Sequence, residues 1–167
     1  MSKPMSRSLL MLAGFGLATA GAAWYSSRHS KGSRDQWYRH LDKPSFTPPD
    51  AVFPAVWTAL YALIAWSGWR VWCAAPSHYR TKALRLWISQ LAANAKWSNL
   101  FFDKHRLDLA FADSLALEGA IFSYINAARK VDSAAAGAFI PYAAWVAYST
   151  VLNAEMVRRN LLLHSKR

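Results

Sequence analysis

The chain has 167 residues, one domain's worth, of which 54% are apolar and only 17% charged. That charge fraction is low for a water-soluble domain, and the mean hydropathy of +0.03 averages long apolar runs with the short basic patches between them. The net charge of +11 argues for loops that meet anionic lipid headgroups rather than for nucleic-acid recognition, because Lys and Arg flank the apolar runs and line no single helix face.

A bilayer core takes about 20 residues of helix. Five segments meet that need: residues 9–25, 51–75, 84–102, 107–128 and 134–157. None shows the alternation of a membrane β-barrel. The expected fold is therefore all-α, a single domain over residues 1–167 forming an integral membrane bundle of five transmembrane helices. The first segment has a competing reading. Lys3 and Arg7 precede it and Ala18-Thr19-Ala20 resembles a signal-peptidase site, as in a cleaved signal peptide. Gly14, Ala18 and Ala22, at every fourth position, point instead to a helix that backs closely onto another.

A long loop follows, from Ser26 to Asp50, with Arg28, Lys31, Arg34, Arg39 and Lys43 and then Pro44, Pro48 and Pro49. The prolines forbid helix and stiffen the segment, as suits either a lid or an interfacial connector. The remaining connections are short, so successive helices are expected to run antiparallel. With Lys104, Arg106, Arg158, Arg159, Lys166 and Arg167 on the side of the long loop, the positive-inside rule favours a cytoplasmic C-terminus. Cys73, the single cysteine, excludes an internal disulfide and reads as a small apolar residue at a helix end.

Offsets of four, seven and eleven residues fall on one helix face. In the second segment Trp57 and Tyr61 stack one turn apart. In the third, Gln90, Asn94, Trp97 and Phe101 share a stripe. In the fourth, Asp113, Leu117 and Tyr124 align, and in the fifth Tyr142, Trp145, Ser149 and Asn153. Any one stripe reads most simply as core, with its amides bonding between helices. The same mixture of aromatic rings and directed polar groups on several helices fits a pocket that grips a flat ligand.

Charges inside membrane segments are costly. Lys96 and Asp113 fall at similar depth, as suits either an ion pair between them or a Lys96 that snorkels to the nearby interface past Trp97. Glu118 lies about 140° around the helix from Asp113, so it faces elsewhere, toward a partner subunit or as a protonated acid. His29, His40, His78, His105 and His164 sit in predicted loops or the tail, with no metal-ligand spacing and no partnered nucleophile. No catalytic residue and no metal site is expected.

The run Trp37-Tyr38-Arg39-His40-Leu41-Asp42-Lys43-Pro44-Ser45-Phe46-Thr47-Pro48-Pro49 resembles a signature of the tryptophan-rich sensory protein (TspO, or translocator protein) family. Val56-Trp57-Thr58-Ala59-Leu60-Tyr61, Gln90-Leu91-Ala92-Ala93-Asn94-Ala95-Lys96-Trp97, Pro141-Tyr142-Ala143-Ala144-Trp145 and Leu152-Asn153 resemble its second, third and fifth helices, in order and with the right spacing. Phe46 departs from the usual Trp, Phe53-Pro54-Ala55 from Phe-Gly-Pro, and Asp103 from Gly. Ala154 stands where the proposed cholesterol motif has Tyr, which argues mildly against a sterol.

The resemblance implies a bundle cavity, closed by the first loop, that binds porphyrins such as protoporphyrin IX and related tetrapyrroles. Family members also take isoquinoline-carboxamide and benzodiazepine-type drugs, and homodimers are usual. Carried over by position, the cavity involves Tyr38, Pro48, Trp57, Tyr61, Trp97, Trp145 and Ser149. Phe46, Asn94 and Asn153 complete the candidate set. The expected activity is that of a membrane sensor, carrier or regulator with a porphyrin ligand and no required cofactor, in a bacterial inner membrane. The alternative is an enzyme that degrades porphyrin in light and oxygen, using Trp57, Trp97 and Trp145. No inverted repeat or broken helix pair supports a transporter with flux.

Overall fold

The computed structural model describes residues 5–30 and 36–162, so the expectations that rest on Lys3, Lys31, Arg34, His164, Lys166 and Arg167 lie outside the described residues. All regular structure in them is helical. In chain order, α1 is Met5–His29, α2 Gln36–His40, α3 Val52–Cys73, α4 His78–Ser98, α5 Leu107–Ala128, α6 Ser133–Gly137 and α7 Ile140–Val157. A π-helical turn, Asn99–Asp103, extends α4, and another, Arg158–Leu162, extends α7.

Capping explains where helices outrun the apolar pattern. α4 starts at His78 rather than near residue 84, because Ser77 accepts from the Arg80 amide at 3.0 Å and so makes a polar first turn helical. α1 runs on to His29, with the Ser27 and Ser30 hydroxyls donating to the Trp24 and Ser26 carbonyls at 2.8 Å. The segment expected at 134–157 is broken. Asp132 caps the short α6 through the Ala135 amide at 2.9 Å, and α7 restarts at Ile140 with Pro141 in its first turn. Asp132 also holds Arg70 at 2.8 Å, fixing the end of α3 to this connection.

The π-turn after α4 closes through Lys104 N–H to the Asn99 carbonyl and Arg106 N–H to the Leu100 carbonyl, both at 3.0 Å. The closure puts His105 in the left-handed region, φ 52°, where glycine is usual. Its ring stacks on Trp37 at 4.1 Å.

Two apolar clusters hold the bundle. The larger joins α3, α4, α5 and α7 through Leu60, Ile64, Trp87, Ile121, Tyr124, Phe139 and Tyr142. Inside it the Ser67 hydroxyl bridges the Tyr124 hydroxyl and the Ala135 carbonyl, each at 2.7 Å. The smaller lies at the loop end, around Tyr38, Leu100, Phe101, Leu152 and Met156.

α1 packs on α3 and α4, but not through its small-residue stripe. Gly14 and Ala18 are exposed, with no atom within 4 Å of a Cβ built at Gly14, and only Ala22 of the three touches the core. The close approach is made by Gly68 of α3. A Cβ there would lie 2.6 Å from Trp87 Nε1 and 2.8 Å from Phe15 Cδ1. Phe15 meets the edge of Trp87 at 4.8 Å, and Trp87 Nε1 donates to the Ile64 carbonyl at 2.8 Å. Cys73 ends α3 and is exposed, its Sγ 3.5 Å from Ser8 Oγ.

Three helical stretches are long and apolar enough to cross a membrane: Ser6–His29, Val52–Cys73 and Ser133–Leu161, of 24, 22 and 29 residues. The chain is a multi-pass integral membrane protein with an all-α bundle fold.

Candidate functional site

The stripes on α3, α4 and α7 meet in a polar layer. The Tyr61 hydroxyl donates to Asn94 Oδ1 at 2.7 Å, and Asn94 Nδ2 donates to the Tyr142 hydroxyl at 3.2 Å. The Trp57 ring lies tilted on Tyr61 at 5.5 Å and edge-on to Tyr142 at 6.1 Å. Tyr142 is fully buried and Asn94 is 6% exposed, so both ends of this amide are committed to the protein. Gln90, one turn away, turns back to the Trp87 carbonyl at 2.9 Å. Of the two amides in the α4 stripe, Asn94 thus ties three helices together while Gln90 bonds within its own helix, and the Tyr61–Asn94–Tyr142 layer fills the bundle at its depth.

Above this layer stand the half-buried indoles of Trp97 and Trp145. Trp97 stacks on Phe101 with ring centres 4.9 Å apart and planes 22° off parallel. Trp145 lies between Phe53 at 5.8 Å and Tyr148 at 5.7 Å. The Nε1 of each is buried and has no hydrogen-bond partner among the described residues. Buried indole N–H groups nearly always find an acceptor. Two unanswered donors beside partly open aromatic faces form the most distinctive chemistry of the molecule. Trp57 and Trp145 pack on the larger core cluster and Trp97 on the smaller one, at the seam between bundle and loop.

The loop closes this end. Tyr38 of α2 is buried against Phe101 at 6.2 Å and Phe102 at 5.7 Å. Lys43 folds over the Tyr38 ring at 4.6 Å and donates to the Tyr38 carbonyl at 2.7 Å. Burial first, then the charge of Asp50, pushes the Tyr38 phenol above its ordinary value, so it stays neutral and apolar in character. Phe46 is 45% exposed and sits at the outer lip. Its carbonyl accepts from the Tyr148 hydroxyl at 2.5 Å. Pro48 is half-buried beside it in the chain. Asp42 is clamped by Asn160 of the C-terminal π-turn: its amide donates to Asn160 Oδ1 at 2.9 Å and its carbonyl accepts from Asn160 Nδ2 at 3.1 Å.

The remaining candidates on α7 are engaged within the protein. The Ser149 hydroxyl donates to the Trp145 carbonyl at 2.8 Å, and Asn153 Nδ2 donates to the Ser114 hydroxyl at 2.9 Å, which turns Asn153 toward α5. The structure therefore joins Trp57, Tyr61 and Asn94 directly, brings Tyr38 against the rings that border Trp97, and puts Phe46 at the rim. Tyr142, Phe53, Tyr148 and Asn160 complete the surroundings. Tyr142 lay on a stripe already apparent in the sequence, whereas nothing in the sequence ties Asn160 to a loop more than a hundred residues away. A shallow groove on the outer face of α3, lined by Ala59, Ala62, Leu63 and Trp66, involves none of these residues.

Of the two readings of Lys96 the ion pair is the one present, Lys96 Nζ to Asp113 Oδ1 at 3.0 Å, with the lysine side chain 62% exposed and the carboxylate 6%. The lysine stem is the exposed part, and its tip turns in to the buried carboxylate. Among the described residues no group of His, Cys, Asp or Glu is placed to hold a metal ion. His29, at the end of α1 rather than in a loop, pairs with Asp103 of the π-turn.

Residues 13–159 match the TspO/MBR family. The chain is 35% identical to the translocator protein of Homo sapiens over 143 residues, 84% of each chain. It is 35% identical to the tryptophan-rich sensory protein of Cereibacter sphaeroides over 126 residues, 75% of this chain and 78% of that one. It is 31% identical to the tryptophan-rich protein TspO of Archaeoglobus fulgidus over 152 residues, 87% and 94% of the two chains. The residues that bear the resemblance fall on the loop and on the helices that surround the indoles, and the chain belongs to the TspO/MBR family.

Proposed function

We propose that this protein is a membrane sensor or carrier that binds a planar, hydrophobic porphyrin, such as protoporphyrin IX or a related tetrapyrrole, between α3, α4 and α7 beneath the loop. Family membership and the membrane bundle support a general sensing or transport role. The observation that carries the finer reading is the pair of buried, unanswered indole N–H groups on Trp97 and Trp145. Flat ring faces suit a macrocycle, and orphan donors suit its acidic or carbonyl substituents. Trp57 and Tyr61 supply the base against which the guest rests; Tyr38, Phe46 and Pro48 cover it. Ser149, Asn94 and Asn153 position the surrounding helices.

The same reading makes α4 and α5 the remaining spans of a five-helix bundle. Their 21 and 22 residues reach about 31–33 Å, and the Lys96–Asp113 pair makes their charges tolerable. Homodimers and a bacterial inner membrane belong to the same proposal.

Tryptophan fluorescence with protoporphyrin IX added in the dark tests it. Saturable quenching is expected, with Trp97→Phe and Trp145→Phe each weakening binding about five-fold, the worth of one hydrogen bond of about 1 kcal/mol. Unchanged affinity in the Trp57→Ala/Trp145→Ala variant would overturn the site. Porphyrin loss under light that disappears in Trp145→Phe while binding persists would favour a degrading enzyme instead.

A further inference from the structure

We propose that Glu118 is a proton-binding site in the membrane interior, a carboxyl held in its acid form and open to covalent modification by a lipid-soluble carbodiimide. Glu118 lies midway along α5, and both its oxygens are buried without a hydrogen-bond partner among the described residues. The other acid of this helix interior, Asp113, has Lys96. Glu118 has no such cation among the described residues.

Two contacts fix its depth. Ser114 meets Asn153 at 2.9 Å, and Tyr124 packs on Phe139 with ring centres 4.0 Å apart. Glu118 lies between Ser114 and Tyr124 on α5, so it is level with the stretch of α7 that holds Trp145 and Ser149. The hydroxyls there are spent on their own helix: Ser149 donates to the Trp145 carbonyl and Thr150 to the Val146 carbonyl. The titratable groups around it are few. α7 offers Tyr142, whose oxygen accepts from Asn94; α4 offers Lys96, taken by Asp113 on α5 itself; the π-turn offers Asp103, taken by His29; α6 offers none. A buried carboxylate charge with no cation beside it among the described residues is far more costly in the membrane interior than a neutral acid.

The flanking Leu115 and Phe122 are each 52% exposed, so this face of α5 is open to lipid and a turn of the Glu118 side chain brings its carboxyl to a reagent dissolved there. The carboxyl O–H adds across one C=N bond of dicyclohexylcarbodiimide: the oxygen bonds to the central carbon and the proton goes to nitrogen. Migration of the acyl group to nitrogen then leaves a stable N-acylurea that carries the whole reagent, with no leaving group and no change of oxidation state.

The test treats the full chain in liposomes at neutral pH with dicyclohexylcarbodiimide, or with a water-soluble carbodiimide, and maps adducts by peptide mass spectrometry. Glu118 is expected to carry the whole-reagent mass with the lipid-soluble reagent, at least ten-fold above its labelling by the water-soluble one. The infrared difference between wild type and Glu118→Gln is expected to contain the carbonyl stretch of an un-ionised carboxylic acid, with the thermal unfolding of the variant preserved. Absence of that stretch overturns the proton site. Equal labelling by both reagents overturns the interior placement, and the stretch without any adduct overturns the modification site.

Discussion

Replacing Asn160 with Ala should loosen the loop over the indoles while leaving the bundle intact. Asn160 gives the loop two hydrogen bonds, from the Asp42 amide at 2.9 Å and to the Asp42 carbonyl at 3.1 Å. The third bond of the side chain, to the Met156 carbonyl at 2.9 Å, stays within its own turn. Asp42 is exposed, so water replaces part of what is lost. At about 0.5–1 kcal/mol per bond the variant loses about 1–2 kcal/mol of loop closure, roughly a five- to thirty-fold rise in the open fraction. The neighbouring Arg159–Asp42 contact is longer, at 3.3 Å, and screened by solvent, so Arg159→Ala should raise loop exchange less than Asn160→Ala does. Hydrogen–deuterium exchange reads this directly. Amides of residues 36–50 should exchange five- to thirty-fold faster in Asn160→Ala, with α3 and α5 unchanged, and bound porphyrin should leave faster by a similar factor. Unchanged protection of the Asp42 amide would refute the clamp, and a uniform rise across all helices would show that Asn160 serves the fold instead.

Gly68→Ala forces a methyl to 2.6 Å from Trp87 Nε1, against a ring whose bond to Ile64 leaves it little room. It should cost about 1–3 kcal/mol in unfolding experiments, and wild-type stability would refute the close packing of α1 on α3 and α4. Lys96→Met strands the buried Asp113 carboxylate. The loss should be about 1–2 kcal/mol, less than for a fully buried pair because the lysine is exposed, and Lys96→Met/Asp113→Asn should recover most of it. A double variant no better than the single one refutes the pairing. The burial that raises the Tyr38 phenol makes loop closure pH-dependent in one direction. Its contribution is complete below the ordinary phenol value and falls as pH climbs from there through the raised one, because the open form gives up the proton more readily. Loop protection in exchange experiments should therefore decline above about pH 10, and Tyr38→Phe should flatten that decline; an equal decline in the variant refutes it.

Helical periodicity carried the parts of this molecule that depend on one helix at a time. Asn94, Trp97 and Phe101 do share a face, as do Tyr142 and Trp145, and Lys96 does reach Asp113, because depth and angle follow from counting residues. The count fails where one helix must choose among partners. Gly14 and Ala18 offered a smooth ridge, yet α1 settles through Phe15 into the space vacated at Gly68, since an aromatic ring against Trp87 buries more surface than two small residues against lipid. Periodicity left Asn94 between an interhelical bond and a ligand contact; the buried amide, flanked by two phenols, bonds to both of them, because leaving either end unpaired in the bilayer is costlier than closing the layer. The donors left over after these local bargains, on Trp97 and Trp145, are therefore the informative ones. Asn94, Asn153 and Ser149 each donate to a protein acceptor, as does Gln90 through Nε2, whereas these two indoles are held by ring packing in positions where their N–H groups meet none among the described residues. An apolar ring at either position would pack as well without the orphan donor, and the proposed porphyrin guest would account for tryptophan there by supplying the acceptor.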